Sequence, residues 1–486
     1  MLKVLFAAAE AAPFAKTGGL GDVIVSLPKE LKKQGVDVRV MMPKYQDIPE
    51  TFKQKMTLKT HFTVPVGWRQ QYCGIEELQH EGVTFYFVDN EYYFKRHGFY
   101  GHMDDAERFT FFSRAVLESL EEIDFIPDVI HAHDWHAGPV SVLLDAHYRQ
   151  RSAYENIRTL FTIHNLRYQG VFPKEVLSDL MDLEWKYFNS DGLEFFDSVN
   201  FMKAGLNFSD MISTVSRTYA QEIQQPYFGE QMDGLLGRRQ KDLVGIANGI
   251  DYEYYNPATD TMIFKNYDIN SIEGKAENKV KLQQRLGLPV KEDAAMVAIV
   301  SRLVGPKGMD LVERILMELI QKVSAEGYGR DAQLVVLGTG EARYENLFRY
   351  VAWQSPGKVS ANILFDEVLA HQIYAASDLF IMPSMYEPCG IGQLIAMRYG
   401  CLPVVRETGG LKDTVIPYNK NTGEGTGFSV SNYNAHEMLD AIERALDIYQ
   451  DKKAWNGLVK NAMSGDFSWK ESARQYQEIY YKLSGR

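Results

Sequence analysis

The stretch that decides the fold stands at the start of the chain: MLKVLFAAAEAAPFAKTGGLGD, residues 1–22. Its apolar run Lys3–Ala8 predicts a buried strand, its glycines predict a tight turn, and a helical pattern begins near Val23. A strand, a glycine turn and a helix in this order are typical of a parallel sheet that helices cover. The chain is therefore predicted to be an α/β protein.

The same pattern recurs along both halves of the chain, and no internal repeat interrupts it. Further apolar runs predict buried strands at Asp37–Met42, Asp128–Ala132, Thr159–Ile163, Met211–Val215, Ala294–Val300, Gln333–Leu337, Asn362–Phe365, Leu379–Met382 and Pro403–Val405. From Leu58 to Val88 the residues alternate between polar and apolar, which predicts an antiparallel insertion of hairpins. A turn signal at Ala247–Asp251 precedes a polar stretch and separates two domains.

Composition excludes several classes of function. The 486 residues carry a formal net charge of −12, so no basic field attracts nucleic acid or an anionic membrane, whereas a neutral polysaccharide is not repelled. The cysteines, Cys73, Cys389 and Cys401, are too few for a disulfide framework and predict a reducing compartment. Glu10 interrupts the apolar start, so a strand is favoured over a signal peptide. We expect a soluble cytoplasmic protein.

The glycine turn of the opening stretch is a candidate anion site. Gly18 and Gly19 let a ligand approach the backbone, and the helix start offers free N–H groups. Lys16 adds a positive charge that a diphosphate would attract. The alternative is a tight turn that carries a solvated lysine.

The second half repeats this arrangement with two cations. Arg302 and Lys307 follow a predicted strand and precede a helix, where they could neutralise a pyrophosphate, or they could be solvated in a surface loop. Thr408-Gly409-Gly410 also joins a strand to a helix start and predicts a further anion cradle.

The strongest single motif runs from Pro383 to Gln393. Glu387 follows a strand, and Pro388-Cys389-Gly390 then opens a helix whose amides can bind sugar hydroxyls or phosphate. Glu387 can accept hydrogen bonds from hydroxyl groups, although the helix dipole alone also favours a glutamate there. A small structural cysteine is favoured over a nucleophile at Cys389.

Histidines follow two strands of the first half. The segment His131-Ala132-His133-Asp134-Trp135-His136 has no carboxylate or cysteine at the spacing of a metal site. A role in lining a ligand is therefore favoured over metal binding. Asp134 is suited to bind a hydroxyl group and Trp135 to pack against a sugar face. His164 ends the next strand and could reach the same site, or it could be a structural histidine.

Together these motifs resemble those of the bacterial glycogen synthase and plant starch synthase family, which consists of retaining glycosyltransferases with the GT-B fold. The resemblance covers almost the whole chain. It rests on seven motifs in a fixed order: Lys16–Leu20, His131–His136, Thr162–Leu166, Asn248–Asp251, Arg302 with Lys307, Glu387–Gly390 and Thr408–Leu411. It implies two Rossmann-like domains whose parallel sheets face a cleft between them. The first would comprise residues 1–250 and, because the last helix crosses back, 468–486; the second would comprise residues 251–467.

The resemblance also implies roles for these residues. Arg302 and Lys307 would hold the diphosphate of the donor, and Lys16 with the Gly18 and Gly19 backbone would close on it. The glucose site would be lined by His164, Asn248 and the amides of Cys389 and Gly390, with Glu387 near the reacting sugar and Tyr100 in the same cleft. The Gly338-Thr339-Gly340 loop and the stretch from His371 to Ser377 would border the nucleobase.

The activity that the resemblance implies is transfer of glucose from ADP-glucose to the non-reducing 4-hydroxyl of an α-1,4-glucan such as glycogen, with retention of configuration by front-face displacement. No metal or other cofactor is expected. Bacterial-style brevity and the lack of a plant transit peptide favour ADP-glucose over UDP-glucose. Glycogen or a starch-like product, and the oligomeric state, stay open.

The sequence leaves two alternative functions open. A glucan phosphorylase shares the fold but requires pyridoxal phosphate. A catalytically silent glucan-binding protein needs no phosphate contacts. The joint presence of Lys16, His164, Arg302, Lys307 and Glu387 argues against it.

Overall fold

The structure, a computed structural model, describes residues 1–324 and 331–486. These form two compact units, Met1–Asn248 with Trp469–Arg486, and Gly249–Ser468. The first boundary follows Asn248, two residues before the expected position, and the second precedes Trp469, one residue after the expected position. Pairing within the second unit accounts for this, because the amide of Ile250 donates to the carbonyl of Phe467 at 2.8 Å and Ile250 forms a parallel bridge with Ser468.

The first unit is built on a nine-stranded sheet with the order β12-β11-β7-β6-β1-β2-β5-β4-β3. Its strands, together with the small sheet β8-β10-β9, are β1 Lys3–Ala7, β2 Asp37–Pro43, β3 Thr57–Val66, β4 Arg69–His80, β5 Val83–Asp89, β6 Val129–His133, β7 Arg158–Ile163, β8 Val171–Pro173, β9 Glu194–Phe195, β10 Ser198–Asn200, β11 Met211–Thr214 and β12 Leu243–Gly245. In the large sheet only the pairs β3–β4 and β4–β5 are antiparallel. The predicted hairpin insertion is therefore confirmed, while β12 and the small sheet were not predicted.

Helices of the first unit connect these strands. They are Gly19–Lys33, Glu50–Lys53, Glu91–Phe94, Asp105–Glu122, Asp134–Ala137, Pro139–Leu143, Val176–Asp179, Phe201–Phe208, Arg217–Glu222, Asp233–Arg238 and Trp469–Ser484, with short π and 3-10 turns at Leu144–Tyr148 and Trp185–Tyr187. The helix after the glycine turn begins at Gly19, four residues earlier than expected.

The terminal helix packs on the first unit through an apolar face. Trp469, Tyr476, Ile479 and Tyr480 are buried. Polar contacts fix the helix at both ends, since the Ser472 hydroxyl donates to the Ala247 carbonyl at 2.6 Å and the Tyr480 hydroxyl lies 2.8 Å from His131 Nδ1. Burial of these aromatic rings attaches the end of the chain to the unit that contains its beginning.

The second unit has a six-stranded sheet, parallel throughout, with the order β15-β14-β13-β16-β17-β18. The strands are β13 Ala295–Val300, β14 Ala332–Leu337, β15 Val359–Asn362, β16 Leu379–Met382, β17 Leu402–Arg406 and β18 Phe428–Val430. The helices are Gly274–Leu286, Met309–Ser324, Ala342–Gln354, Glu367–Ala376, Gly392–Arg398, Gly409–Thr414, Ala435–Gln450 and Lys452–Ser464, with a 3-10 turn at Gly305–Lys307.

One strand prediction is wrong in position. The strand expected at Asn362–Phe365 lies at Val359–Asn362. This edge strand is only partly buried, so its sequence is mixed, whereas the apolar Leu364 and Phe365 beyond it are exposed. Within the described residues, no helix has the length and apolar character that would let it cross a membrane.

Candidate functional site

In the second unit, three side chains meet just beyond the carboxyl end of β16. Lys307 Nζ donates to Glu387 Oε2 at 2.6 Å, and the Ser384 hydroxyl donates to the same oxygen at 2.8 Å. The Glu387 side chain is 9% exposed and that of Lys307 is 22% exposed. Two opposite charges at this distance and with this little solvent exposure interact strongly, because little water screens them. The structure thus joins two of the predicted residues into one group and adds Ser384, which the sequence argument missed.

The loop that carries Lys307 is pressed against the strand end that precedes Glu387. Gly308 adopts a φ of 77°, and a Cβ atom there would lie 2.1 Å from the Pro383 carbonyl oxygen. The Met385 amide donates to the Pro306 carbonyl at 3.0 Å. Only glycine permits this approach, so Gly308 sets the distance between Lys307 and Glu387.

Gly409 and Gly410 hold the Glu387 segment from its other side. A Cβ atom would lie 2.0 Å from the Glu387 carbonyl oxygen at Gly409 and 2.0 Å from the Cys389 carbonyl oxygen at Gly410. The Gly410 amide donates to the carbonyls of Glu387 and Pro388, at 3.1 and 3.2 Å. Backbone packing therefore uses the Gly410 amide, and an anion cradle at Thr408-Gly409-Gly410 stays a prediction. Thr408, fully buried, precedes this contact.

Arg302 and the Cys389-Gly390 segment complete the predicted residues of this unit. Arg302 is exposed, and its guanidinium makes no ion pair within the described parts of the chain. Its loop is braced by the Gly338–Gly340 loop, since the Leu303 amide donates to the Thr339 carbonyl at 2.9 Å. Gly390 has a φ of 74°, and Gln393 Nε2 donates to the carbonyls of Cys389 and Gly390, which leaves the peptide planes of this turn fixed.

His371 of the predicted nucleobase border is buried and engaged in the unit's interior. Its Nδ1 lies 2.7 Å from Asp260 Oδ2, which also accepts from the Tyr399 hydroxyl at 2.6 Å. Its ring stacks on Tyr255. These contacts give His371 a structural role.

In the first unit, the buried carboxylate of Glu10 organises the glycine turn. Glu10 accepts from the Thr17 amide at 2.7 Å, from the Thr17 hydroxyl at 2.6 Å and from the Tyr100 hydroxyl. The helix starting at Gly19 has Gly18 as its N-cap, with no side chain capping it. Lys16 Nζ lies 2.7 Å from Asp22 Oδ1, and its side chain is 45% exposed. The turn is thus preorganised, and an exposed ion pair of this kind is weak enough to exchange for a ligand.

Three histidines of the first unit lie close together: His131 and His133, which are buried, and His164, which is half-buried. His133 Nδ1 lies 3.0 Å from His164 Nε2, and His131 Nε2 lies 2.5 Å from the Thr162 hydroxyl. Burial lowers the pKa of His164 to about 3 and the pKa values of His131 and His133 well below the usual range. Both members of the His133–His164 pair are therefore neutral, and one ring donates to the other.

Asp134 lies against the loop that carries His164. Its Oδ1 accepts from the His164 amide at 2.8 Å, and its backbone has a φ of 54°. Burial raises the pKa of Asp134 to about 7, so its carboxyl group exchanges a proton near neutrality. Asn248 is also buried in this unit, and its Oδ1 has no hydrogen-bond partner among the described residues. A buried acceptor of this kind is ready for a ligand hydroxyl.

Replacement of Asp134 by asparagine should change how stability depends on pH. Because the folded-state pKa is raised from 3.8, the stability that goes with the protonated carboxyl is complete below pH 3.8 and is lost as the pH rises through about 7. Between about pH 5 and about pH 8, the free energy of unfolding should therefore fall less in Asp134→Asn than in the unmodified protein. Urea unfolding at the two pH values measures this. Asp182→Asn is the control, since Asp182 is exposed and has the same φ of 54°; equal pH dependence in all three proteins would contradict the prediction.

An open pocket of about 420 Å³ lies beside Asp134 in the first unit. Its lining consists of Trp135, Arg167, Tyr168, Gln169, Gly170, Val171, Phe195, Glu230 and Gln231. Apart from Trp135, the sequence argument missed these residues, because they come from loops that share no motif. The sequence did offer one signal for this pocket: an aromatic residue follows each of two predicted site residues, Trp135 after Asp134 and Tyr168 after His164. Among the described residues, no group of three or more His, Cys, Asp or Glu side chains could hold a metal ion.

Comparisons with known proteins agree with this arrangement. Residues 3–238 match the family model of the starch synthase catalytic domain, and residues 281–462 match that of glycosyl transferases group 1. The glycogen synthase of Caldicellulosiruptor saccharolyticus is 56% identical over 483 residues, 99% of this chain and 100% of that protein. The glycogen synthase of Desulforamulus reducens is 53% identical over 482 residues, 99% of each chain.

A solved structure extends the likeness to three dimensions. The catalytic domain of starch synthase IV from Arabidopsis thaliana, bound to ADP and acarbose, superimposes with a TM-score of 0.91 at 35% identity and full coverage of both chains. Sucrose-phosphate synthase from Thermosynechococcus elongatus, 16% identical with a TM-score of 0.62, shares the fold. The resemblance and the α/β fold predicted from the sequence are confirmed: the chain belongs to the glycogen and starch synthase family of glycosyltransferases.

Proposed function

We propose that this protein transfers glucose from ADP-glucose to the non-reducing 4-hydroxyl of an α-1,4-glucan, with retention of configuration. The observation that carries the proposal is the Lys307–Glu387–Ser384 group, which places a cation and a buried carboxylate together beyond a strand end. Departure of a diphosphate needs the cation, and positive charge growing at the sugar needs the carboxylate. The likeness to a starch synthase bound to ADP supports a nucleoside diphosphate as the leaving group.

The proposal gives roles to most of the predicted residues. In the second unit Arg302 and Lys307 bind the diphosphate, and in the first unit Lys16 with the amides at Gly18 and Gly19 forms a further anion-binding turn. Glu387 has one oxygen, Oε2, occupied by Lys307 and Ser384, so Oε1 is the atom that faces the sugar. Neutral His164, Asn248 and the Gly390 backbone bind glucose hydroxyls. The departing diphosphate accepts the proton of the incoming 4-hydroxyl, and no metal ion or other cofactor is needed for these steps.

We place the acceptor glucan in the pocket that contains Trp135 and Tyr168. Sugar rings have apolar C–H faces that pack well against aromatic rings, and the polar edges of the pocket can bind hydroxyls. Asp134 adjoins this pocket through Trp135 and can accept a hydrogen bond from an acceptor hydroxyl. Tyr100, which is held by Glu10, is assigned to the donor side through its link to the glycine turn.

Initial rates with ADP-glucose and UDP-glucose, each with glycogen, test the proposal. We expect release of nucleoside diphosphate that matches the glucose gained by the glucan, faster with ADP-glucose, and we expect the new linkages to be removed by an α-1,4-specific exoglucosidase. Release of glucose 1-phosphate from glycogen and phosphate would instead identify a phosphorylase. Glycogen binding without diphosphate release from either donor would identify a silent binding protein.

A further inference from the structure

A two-residue turn beside the glucan pocket has an unusual composition. β9 and β10 pair antiparallel, with Phe195 opposite Ser198, so Phe196 and Asp197 alone connect them. Their φ angles are 50° and 60°. Two consecutive positive φ angles in such a hairpin are those of a type I′ turn, which strongly prefers Asn-Gly or Asp-Gly.

Phenylalanine is a costly choice for the first position of this turn. A bulky side chain in the left-handed conformation is strained, and such strain persists mainly where function requires it. Burial does not offset the cost, because Phe196 is 72% exposed. Neither local conformation nor packing of the core therefore explains this residue.

The position of the turn supplies an explanation. Phe195 lines the pocket, and the Phe196 ring meets it edge to face with 4.8 Å between the ring centroids. Trp135, Tyr168 and Phe195 are the aromatic residues that line the pocket, here called the aromatic wall, and the exposed Phe196 ring extends this wall through its contact with Phe195. Tyr168, 56% exposed, is another part of this wall that stands open to solvent.

A second turn with positive φ angles also lines the pocket, and Gln169 links this turn to β10. Glu230 and Gln231, which line the pocket, have φ angles of 46° and 67°. Gln169 Nε2 donates to the Glu230 carbonyl at 2.9 Å, and Gln169 Oε1 accepts from Asn200 Nδ2, on β10, at 2.7 Å. Gln169 is 8% exposed. A buried side chain thus connects the Glu230–Gln231 turn to β10, so the pocket is preorganised, which lowers the cost of binding a ligand.

We propose that Phe196 forms an outer subsite for the acceptor, where its ring packs against a glucose unit of an α-1,4-glucan that extends out of the pocket. The inference rests on the proposed function, which puts the acceptor in this pocket. A neutral polymer fits, because the exposed wall is aromatic and offers a flat apolar face to the C–H face of a sugar. A short acceptor ends inside the pocket and does not reach Phe196, so this residue selects for long chains.

The replacement Phe196→Asn tests the subsite without the risk of unfolding. Asparagine suits the first position of a type I′ turn, so the melting temperature should stay equal or rise. KM for glycogen should rise about tenfold, the effect of losing one favourable aromatic contact. KM for maltotriose, KM for the nucleotide sugar and kcat at saturation should stay unchanged.

A matched control is Trp68→Asn. Trp68 is 78% exposed and lies in the two-residue turn between β3 and β4 of the same unit, outside the pocket lining. Its replacement should leave KM for glycogen unchanged. Native electrophoresis through a gel that contains glycogen gives a second readout without any donor: the unmodified protein and Trp68→Asn should be retarded, and Phe196→Asn less so.

Two results for Phe196→Asn would overturn the outer subsite. One is that both KM for glycogen and retardation by glycogen stay unchanged; the other is that KM rises equally for maltotriose and glycogen. Failure of the unmodified protein to transfer glucose at all would instead refute the proposed function. In that case the retardation of the three proteins by glycogen still decides whether Phe196 binds the glucan.

Discussion

Replacement of Lys307 by alanine should lower kcat by about 10²-fold or more, the scale of one lost charge contact to a transition state. The structure gives two reasons for a loss this large. The variant lacks a cation for the departing diphosphate, and it leaves the Glu387 carboxylate buried without its ion-pair partner, although the Ser384 hydroxyl still donates to it. An unpaired buried charge is costly, so Glu387 should shift from its place.

Steady-state rates measure this effect, with a double-mutant cycle to separate its two parts. Lys291→Ala is the control, because Lys291 forms an exposed ion pair with Asp331 at 2.5 Å in the same unit, and exposed pairs contribute little. If displacement of Glu387 contributes, Lys307→Ala should cost less in a Glu387→Gln background than in the native one. Unchanged turnover of a folded Lys307→Ala protein would remove Lys307 from the mechanism.

Replacement of Gly170 by alanine should lower kcat/KM for glycogen by about 10²-fold, as expected when a binding group is displaced by about an ångström. A Cβ atom at Gly170 would lie 2.3 Å from Trp135 Cε3, and the φ of 63° is unfavourable for alanine. Trp135 is nearly buried and stacks on His136 at 3.9 Å between centroids, so its ring cannot yield without moving the pocket wall.

Gly82→Ala controls for backbone strain alone. Gly82 lies in the same unit with a φ of 79°, and nothing lies within 4 Å of the position that its Cβ would take. Both variants should have a lower melting temperature than the unmodified protein. Only Gly170→Ala should also have a lower kcat/KM for glycogen. Equal kinetics in the two variants would show that the Trp135 wall does not bind the acceptor.

Much of the architecture could be predicted because buried parallel strands are continuous apolar runs. Met211–Val215 and Leu379–Met382, for example, coincide with observed strands to within a residue. The edge strands β15 and β18 were misplaced or missed, since an edge strand needs fewer apolar residues. The hairpin insertion could be predicted from the alternation of polar and apolar residues alone.

The predicted site residues were found as separate motifs, and the sequence could not show how they are paired. Lys307 and Glu387 are 80 positions apart, and their contact depends on backbone packing at Gly308 and Gly409. Similarly, the sequence predicted a glycine turn at Thr408-Gly409-Gly410 but could not show that the Gly410 amide donates to the backbone of the Glu387 segment.

The sequence by itself determined the α/β class, the two-domain organisation and, through seven ordered motifs, the resemblance to glycogen and starch synthases. Those properties depend on local apolar patterns and on residues that stand near each other in the chain. Only the tertiary structure decided that Glu387 is held by Lys307 and Ser384, that Asp134 has a raised pKa, and that Phe196 extends an aromatic wall. These depend on burial and on contacts between distant segments, which no local pattern records.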